Sequence, residues 1–376
     1  MIARILQEKI KERLFKRKAI ILLGPRQVGK TTIIHSILNE VDTNYLFLNG
    51  DEADVRDSLQ NTSSSKLKLL FGSAKLIFID EAQRIENIGL TLKIITDTLK
   101  DVQVIATGSS AFELMNQTQE PLTGRKYEYQ LFPISFREMV NHHGFLEEKR
   151  MLEQRLIYGY YPEIVADFEN AEEHIKLLSN SYLYKDLLQL DQIKKPKLLE
   201  KILKALAHQV GSEVSFHEIS QLVGADFHTV EKYIDLLEKT FVIFTLPAYS
   251  KNVRNEIKKG KKIYFYDNCV RNAIIGNFNA IANRTDIGAL WENFLISERM
   301  KEMHYKNRNV EHYFWRTTAQ QEIDFLEIEN NQITAFEFKW NPKRKVSFPK
   351  TFTINYPDTI TKIISSDNYE EFLLEE

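Results

Sequence analysis

The chain has 376 residues, 50 Lys and Arg against 52 Asp and Glu, a formal charge of −2 and a single cysteine. That length exceeds one ordinary hydrophobic core and predicts two or three domains. The near-neutral balance excludes a whole-chain field that would draw the protein onto nucleic acid or an anionic membrane, so any such binding must be local. Cys269 alone excludes an internal disulfide and a cysteine-based zinc cluster and fits a reducing compartment, the cytoplasm by default.

Residues 1–18 spread charges among apolar positions and read as a short amphipathic helix, unlike a signal peptide. The longest apolar runs fall far short of the roughly 18 residues that a membrane span needs. From residue 19 to about 135, short apolar strands (19–24, 45–50, 75–80 and 102–108) alternate with helical stretches, the α/β pattern of a parallel sheet covered by helices. The first strand runs into Gly24-Pro25-Arg26-Gln27-Val28-Gly29-Lys30-Thr31-Thr32, directly ahead of a helical segment. That strand-to-helix context marks a P-loop: exposed amides and a helix N-terminus cradle a phosphate, Lys30 reaches the terminal phosphates and Thr31 ligates Mg2+. The third strand ends in Asp80-Glu81, where Asp80 would hold Mg2+ through water and Glu81 would orient or deprotonate the attacking water. The fourth ends in Thr107, Ser109 and Ser110, suited to sensing the terminal phosphate. Arg125, beside Gly124, is a candidate finger for a neighbouring subunit's nucleotide, which implies a homo-oligomer, or a plain surface arginine in a turn. ATP and Mg2+ are the expected substrate and cofactor.

Residues 133–190 lose the strand pattern and read as helical, and the charged, Pro-containing run 194–197 marks a linker. Three short helices follow, the last two separated by a turn at Gly224, and then the strand 242–249, the order of a winged helix. His228, Thr229 and Lys232 would start its second paired helix, but Asp226, Glu231, Asp235 and Glu238 on the same segment would repel phosphates. The strip 251–262 is the better candidate for backbone contact, through Lys251, Arg254, Lys258, Lys259, Lys261 and Lys262; a solvated charged loop is the alternative. After residue 262 come a strand, a helix over 289–303, a strand ending in Trp315-Arg316 and a hairpin over 323–340. A two-residue Asn330-Asn331 turn would make facing residues sum to 661 and set Asp324 opposite Glu337, with Lys339 on the same face. Two facing carboxylates need a positive partner, either a metal ion or Lys339. Asp324 with Glu337-x-Lys339 and an acid from the preceding helix is the pattern of PD-(D/E)XK nucleases.

Taken together, the runs 24–32, 76–84, 106–110, 122–139 and 158–165 resemble the bacterial and archaeal AAA+ ATPases that carry a C-terminal restriction-endonuclease-like domain. The resemblance covers nearly the whole chain. It implies Lys30, Thr31, Asp80 and Glu81 as nucleotide and metal residues, Ser109 as first sensor, Arg125 as finger, and Glu292 as the helix acid, with Glu298 in reserve. The family's Gly-Gly-x-Pro element is matched by Gly159-Tyr160-Tyr161-Pro162, where Tyr160 replaces the second glycine. The expected organisation is an AAA+ P-loop core at 1–135, a helical lid at 136–192, a winged helix at 193–262 and a restriction-endonuclease-like α/β domain at 263–376. The expected function is a Mg2+-dependent ATPase acting on nucleic acid, DNA before RNA. The alternative is an ATP-dependent signalling switch that presents a catalytically silent C-terminal domain to a protein partner.

Overall fold

Apolar runs that are buried along their whole length must be covered on both faces, and three of the expected strands are: β1 (Ala19–Leu23), β3 (Leu76–Asp80) and β4 (Gln103–Gly108). In the computed structural model they join β2 (Tyr45–Asn49) and β5 (Lys126–Gln130) in one parallel sheet of order β2-β3-β4-β1-β5. The structure describes residues 2–109, 121–178, 195–250 and 260–375. β5 was not among the expected strands, because its sequence Lys-Tyr-Glu-Tyr-Gln has no apolar run; as an edge strand it is half-buried and needs none. Helices α1 (Ile5–Lys11), α2 (Lys30–Glu40), α3 (Ala53–Leu59), α4 (Ser64–Phe71) and α5 (Ile88–Thr98) accompany this sheet. Residues 1–134 with 239–241 form one compact unit, and residues 135–238 with 242–376 form a second.

The second unit starts at a capping box, in which Ser135 and Glu138 satisfy each other's backbone amides at the start of α6 (Phe136–His143). Helices α7 (Phe145–Arg150), α8 (Leu152–Tyr158), α9 (Pro162–Ala166) and α10 (Ala171–Leu177) follow. The expected lid therefore groups with the rest of the chain rather than with the P-loop core. Next come α11 (Pro196–His208), β6 (Glu213–Val214), α12 (Phe216–Val223), α13 (Phe227–Lys239), β7 (Ile243–Pro247) and β8 (Lys261–Phe265). The last three strands form an antiparallel sheet of order β6-β8-β7. The expected boundary at residue 262 falls inside β8, whose backbone pairs with β7 and β6. α14 (Asn268–Ile275) also belongs here, since Arg271 and Asn272 cap the C-terminal carbonyls of α11 and α8 (Ala207, Leu156 and Ile157).

The chain then forms α15 (Ile287–Lys306), β9 (Glu311–Arg316), β10 (Glu322–Glu329), β11 (Gln332–Lys339), α16 (Lys350–Asn355), β12 (Ile360–Ser365) and α17 (Tyr369–Leu373). The sheet order is β12-β11-β10-β9, with β11 and β12 parallel and the other pairs antiparallel. Among the described residues no helix is long and apolar enough to cross a membrane.

Candidate functional site

Strand β1 ends one residue before Gly24, and α2 starts at Lys30 with Gly29 as its N-cap at φ 92°, a left-handed conformation that costs glycine little. No side chain caps this end, so the first amides of α2 are left facing the loop. Lys30 is buried, and its Nζ donates to the carbonyls of Gly24 and Pro25, 2.9 Å each, so the ammonium lies inside the loop. Thr31 Oγ1 donates to Asp80 Oδ2 at 2.8 Å, and the Thr107 hydroxyl donates to the other Asp80 oxygen. Thr107, expected only as part of a phosphate-sensing group, thus orients Asp80. Glu81 takes φ 48°, unusual for a residue with a side chain, and turns the chain out of β3. Gly50 makes the room: a Cβ there would lie 2.5 Å from the Glu81 carbonyl oxygen.

Two residues that the sequence reading missed complete the site. Gln83 Nε2 donates to Glu81 Oε2 at 2.5 Å and to Ser109 Oγ at 3.1 Å. The Arg4 guanidinium donates to the carbonyls of Val28 (2.7 Å) and Phe132 (2.6 Å), tying the P-loop to the segment after β5. Neither role has a local signature, since each depends on partners 24 to 128 residues away. Arg125 precedes β5 and pairs with Asp97 at 2.7 Å, with both side chains about 40% exposed. β5 runs parallel to β1 and residue 126 pairs with residue 19, so about 16 Å of strand separates Arg125 from the P-loop end of the sheet. It does not serve its own chain's phosphate site. Ser110 lies outside the described residues.

In the C-terminal sheet the hairpin has the expected register, with five pairs from 325–336 to 329–332 summing to 661. Asn330 and Asn331 both have positive φ, 51° and 66°, as a two-residue type I′ turn requires. Phe336 and Phe338 stack on one face with Phe325 and Phe372. Against β9 the register shifts between Ile323 and Leu326, a bulge that contains Asp324 and re-aims its side chain. Asp324 Oδ2 accepts the Phe338 amide at 2.8 Å and Lys339 Nζ at 3.1 Å, and Lys339 also reaches Glu337 Oε2 at 2.8 Å. Burial, reinforced by the Asp324 charge and opposed by Lys339, raises the Glu337 carboxyl to about 7.

A second lysine sits beside them. Lys262, expected on a nucleic-acid-binding strip, is instead 1% exposed; it lies 3.0 Å from Glu292 and 2.5 Å from Glu322. The correction has a simple cause: β8 is buried from Lys262 through Phe265, and Lys262 lies beside three carboxylates. Burial lowers its pKa, but Glu292, Glu322 and Asp324 outweigh burial and leave it raised. Glu292, also bonded by the Tyr264 hydroxyl at 2.6 Å, is raised to about 7 by burial and the Asp324 charge, against the pull of Lys262. The structure therefore brings Asp324, Glu337, Lys339 and Glu292 together and adds a second ammonium group, Lys262, to the cluster. Among the described residues no three acids, histidines or cysteines are grouped to hold a metal ion.

Other expected residues take structural places. Glu298 accepts the Phe136 amide and Lys301, away from the cluster. Trp315 is buried against Phe352, and Arg316 pairs with Glu213 and Glu322. Tyr160 is buried, with its hydroxyl on Glu148 (2.6 Å) and its amide on Asp267 (2.9 Å), so the Gly-Tyr-Tyr-Pro element is an internal joint of the second unit. Lys261 starts β8 with its ammonium over the Phe216 ring. Lys251, Arg254, Lys258 and Lys259 lie outside the described residues.

Residues 16–140 match a family described as an AAA domain. Residues 149–281 and 287–374 match two families described as domains of unknown function, DUF8612 and DUF4143. The chain is 23% identical to an uncharacterized protein of Methanocaldococcus jannaschii over 91% of its length and 80% of the relative's. It is 26% identical to an uncharacterized protein of Haemophilus influenzae over 93% of its length and 89% of that relative's. Among solved structures, the Walker-type ATPase of Pyrococcus abyssi superposes with a TM-score of 0.50 at 16% identity, covering 73% of this chain and 96% of that one, which is a likeness of fold. The parallel sheet of order β2-β3-β4-β1-β5 and the match of residues 16–140 to the AAA domain agree on a P-loop ATPase-type fold for this segment.

Proposed function

We propose that the protein binds ATP with Mg2+ at residues 24–32 and hydrolyses it, with Glu81 as the base that activates water. The observation that carries this reading is the set on the C-terminal edge of the sheet: Thr31 Oγ1 and Asp80 2.8 Å apart, with Glu81 following directly. Two hard oxygen donors that close together suit Mg2+, which prefers carboxylate, hydroxyl and water oxygens. When bound, the ion would neutralise charge on the transferred phosphoryl group. Lys30 would exchange two carbonyl partners for phosphate oxygens, and the N-terminal amides of α2 would take the rest. Purified protein should release phosphate from ATP, and Lys30→Ala should stop it; retained turnover in that variant would refute the assignment.

For the second unit, the two lysines favour the reading in which the C-terminal site binds or signals without cutting a phosphodiester. Lys339 and Lys262 are each paired with two carboxylates, so the acids of this cluster are neutralised from within the fold. Nucleic acid remains the proposed partner, contacted through exposed lysines. Lys195, Lys197 and Lys201 line a cleft of about 590 Å³ with Leu198 and Val223 at the start of α11. The exposed face of α13 mixes Glu231, Lys232 and Asp235 and offers less to a phosphate backbone. The surface position of Arg125 suits an oligomer in which it reaches a neighbour's nucleotide. ATP turnover measured with and without DNA or RNA, at low and moderate salt, separates this from the protein-partner switch. Absence of both stimulation and salt-dependent binding would leave the switch.

A further inference from the structure

Gln83 has no part in the P-loop pattern, yet it is 8% exposed and lies on the short turn after β3 between Glu81 and Ser109. Its amide orientation follows from chemistry. An ionised Glu81 only accepts, so the 2.5 Å contact must come from the Nε2 amino group, which also meets Ser109 Oγ at 3.1 Å. Both amide protons are thereby used. The carbonyl oxygen, Oε1, is buried and has no partner among the described residues. A buried acceptor left unpaired is costly, and this one lies on the residue that grips the proposed base.

A base takes a proton efficiently only from a fixed position. We propose that Gln83 is a positioning residue of the hydrolytic site: its amino group links Glu81 to Ser109 and holds the carboxylate in the orientation that meets the attacking water. The inference rests on the ATPase reading above. The step balances simply. The water oxygen bonds to the γ-phosphorus, and the bond from that phosphorus to the bridging oxygen breaks, leaving its electron pair on ADP. One water proton passes to a Glu81 oxygen; the other stays on the new phosphate oxygen.

The test compares Gln83→Ala, Gln83→Glu and Glu81→Gln in the full chain, measuring kcat, affinity for a non-hydrolysable ATP analogue, and affinity for ADP with aluminium fluoride, a mimic of the transition state. Gln83→Ala should lose about 100-fold in kcat, keep analogue affinity within about threefold, and lose affinity for the mimic in step with kcat. The double variant with Glu81→Gln should lose little more than Glu81→Gln alone. Gln83→Glu, nearly isosteric, sets a second carboxylate against Glu81 and should shift the acidic limb of the kcat profile to higher pH. The inference is overturned if Gln83→Ala keeps wild-type kcat while Glu81→Gln is inactive, if analogue and mimic affinities fall together as a purely structural role predicts, or if the acidic limb of Gln83→Glu stays in place. Wild-type turnover in Glu81→Gln would instead refute the ATPase reading itself.

Discussion

The two charged sites of this chain solve the same problem in opposite ways. At the P-loop, the cation and the acid hold neutral partners that a ligand can replace: Lys30 rests on two backbone carbonyls and Asp80 on two hydroxyls. At the C-terminal sheet, Asp324, Glu337, Glu292 and Glu322 already have their cations, Lys339 and Lys262, each shared between two acids. A motif alone does not tell these apart, because both show acids and a lysine at suitable spacings. The difference lies in whether the counter-charge is built into the fold.

That contrast can be broken most severely at the two lysines. Lys30→Ala should remove at least about 100-fold of ATP turnover, the scale seen when a preorganised charge on a transition state is lost, while the second unit unfolds at an unchanged denaturant midpoint. Lys262→Met should do the converse and destabilise the second unit by about 3 kcal/mol, because it leaves the largely buried Glu292 without its cation and Glu322 with Arg316 alone. Denaturant unfolding followed by a probe in that unit would show it; an unaltered midpoint would mean that Lys262 is not the built-in cation.

A smaller effect concerns pH. Glu337 and Glu292 titrate near 7 in the folded chain rather than near 4.5. A carboxyl whose pKa rises on folding favours the folded state most below its unfolded pKa, and that contribution is lost as pH rises from about 4.5 through about 7. The second unit should therefore lose stability across that window, and Glu337→Gln should flatten the slope. A slope unchanged in Glu337→Gln and Glu292→Gln would contradict the shared, desolvated pocket. Least costly is the hairpin turn: Asn330→Ala, forcing alanine into positive φ, should cost about 1 kcal/mol, whereas Asn331→Gly should be neutral or slightly stabilising. A loss larger than that of Lys262→Met would show that the turn, and not the charges, organises the site.

Much of this was legible in the sequence where the determinant is local. The P-loop needs a strand, a glycine turn and a helix in succession, and the hairpin register follows from two asparagines and an alternation of two. What escaped is non-local. β5 carries no apolar run because an edge strand requires none, and β8 reads as the opening of a new domain because its pairing with β7 spans the run 251–259. Lys262 looks like one more surface lysine until Glu292, 30 residues on, and Glu322, 60 on, are brought to it. The bulge at Asp324 likewise depends on β9.

The central claim is that one site turns over and the other is closed. It is tested most directly by incubating the full chain with ATP, Mg2+ or Mn2+ and end-labelled DNA and RNA, and following phosphate release and strand cleavage together in wild type, Glu81→Gln and Asp324→Asn. The account predicts phosphate release that Glu81→Gln abolishes and Asp324→Asn leaves intact, with every labelled strand uncut. Cleavage that disappears in Asp324→Asn while surviving Glu81→Gln would contradict it.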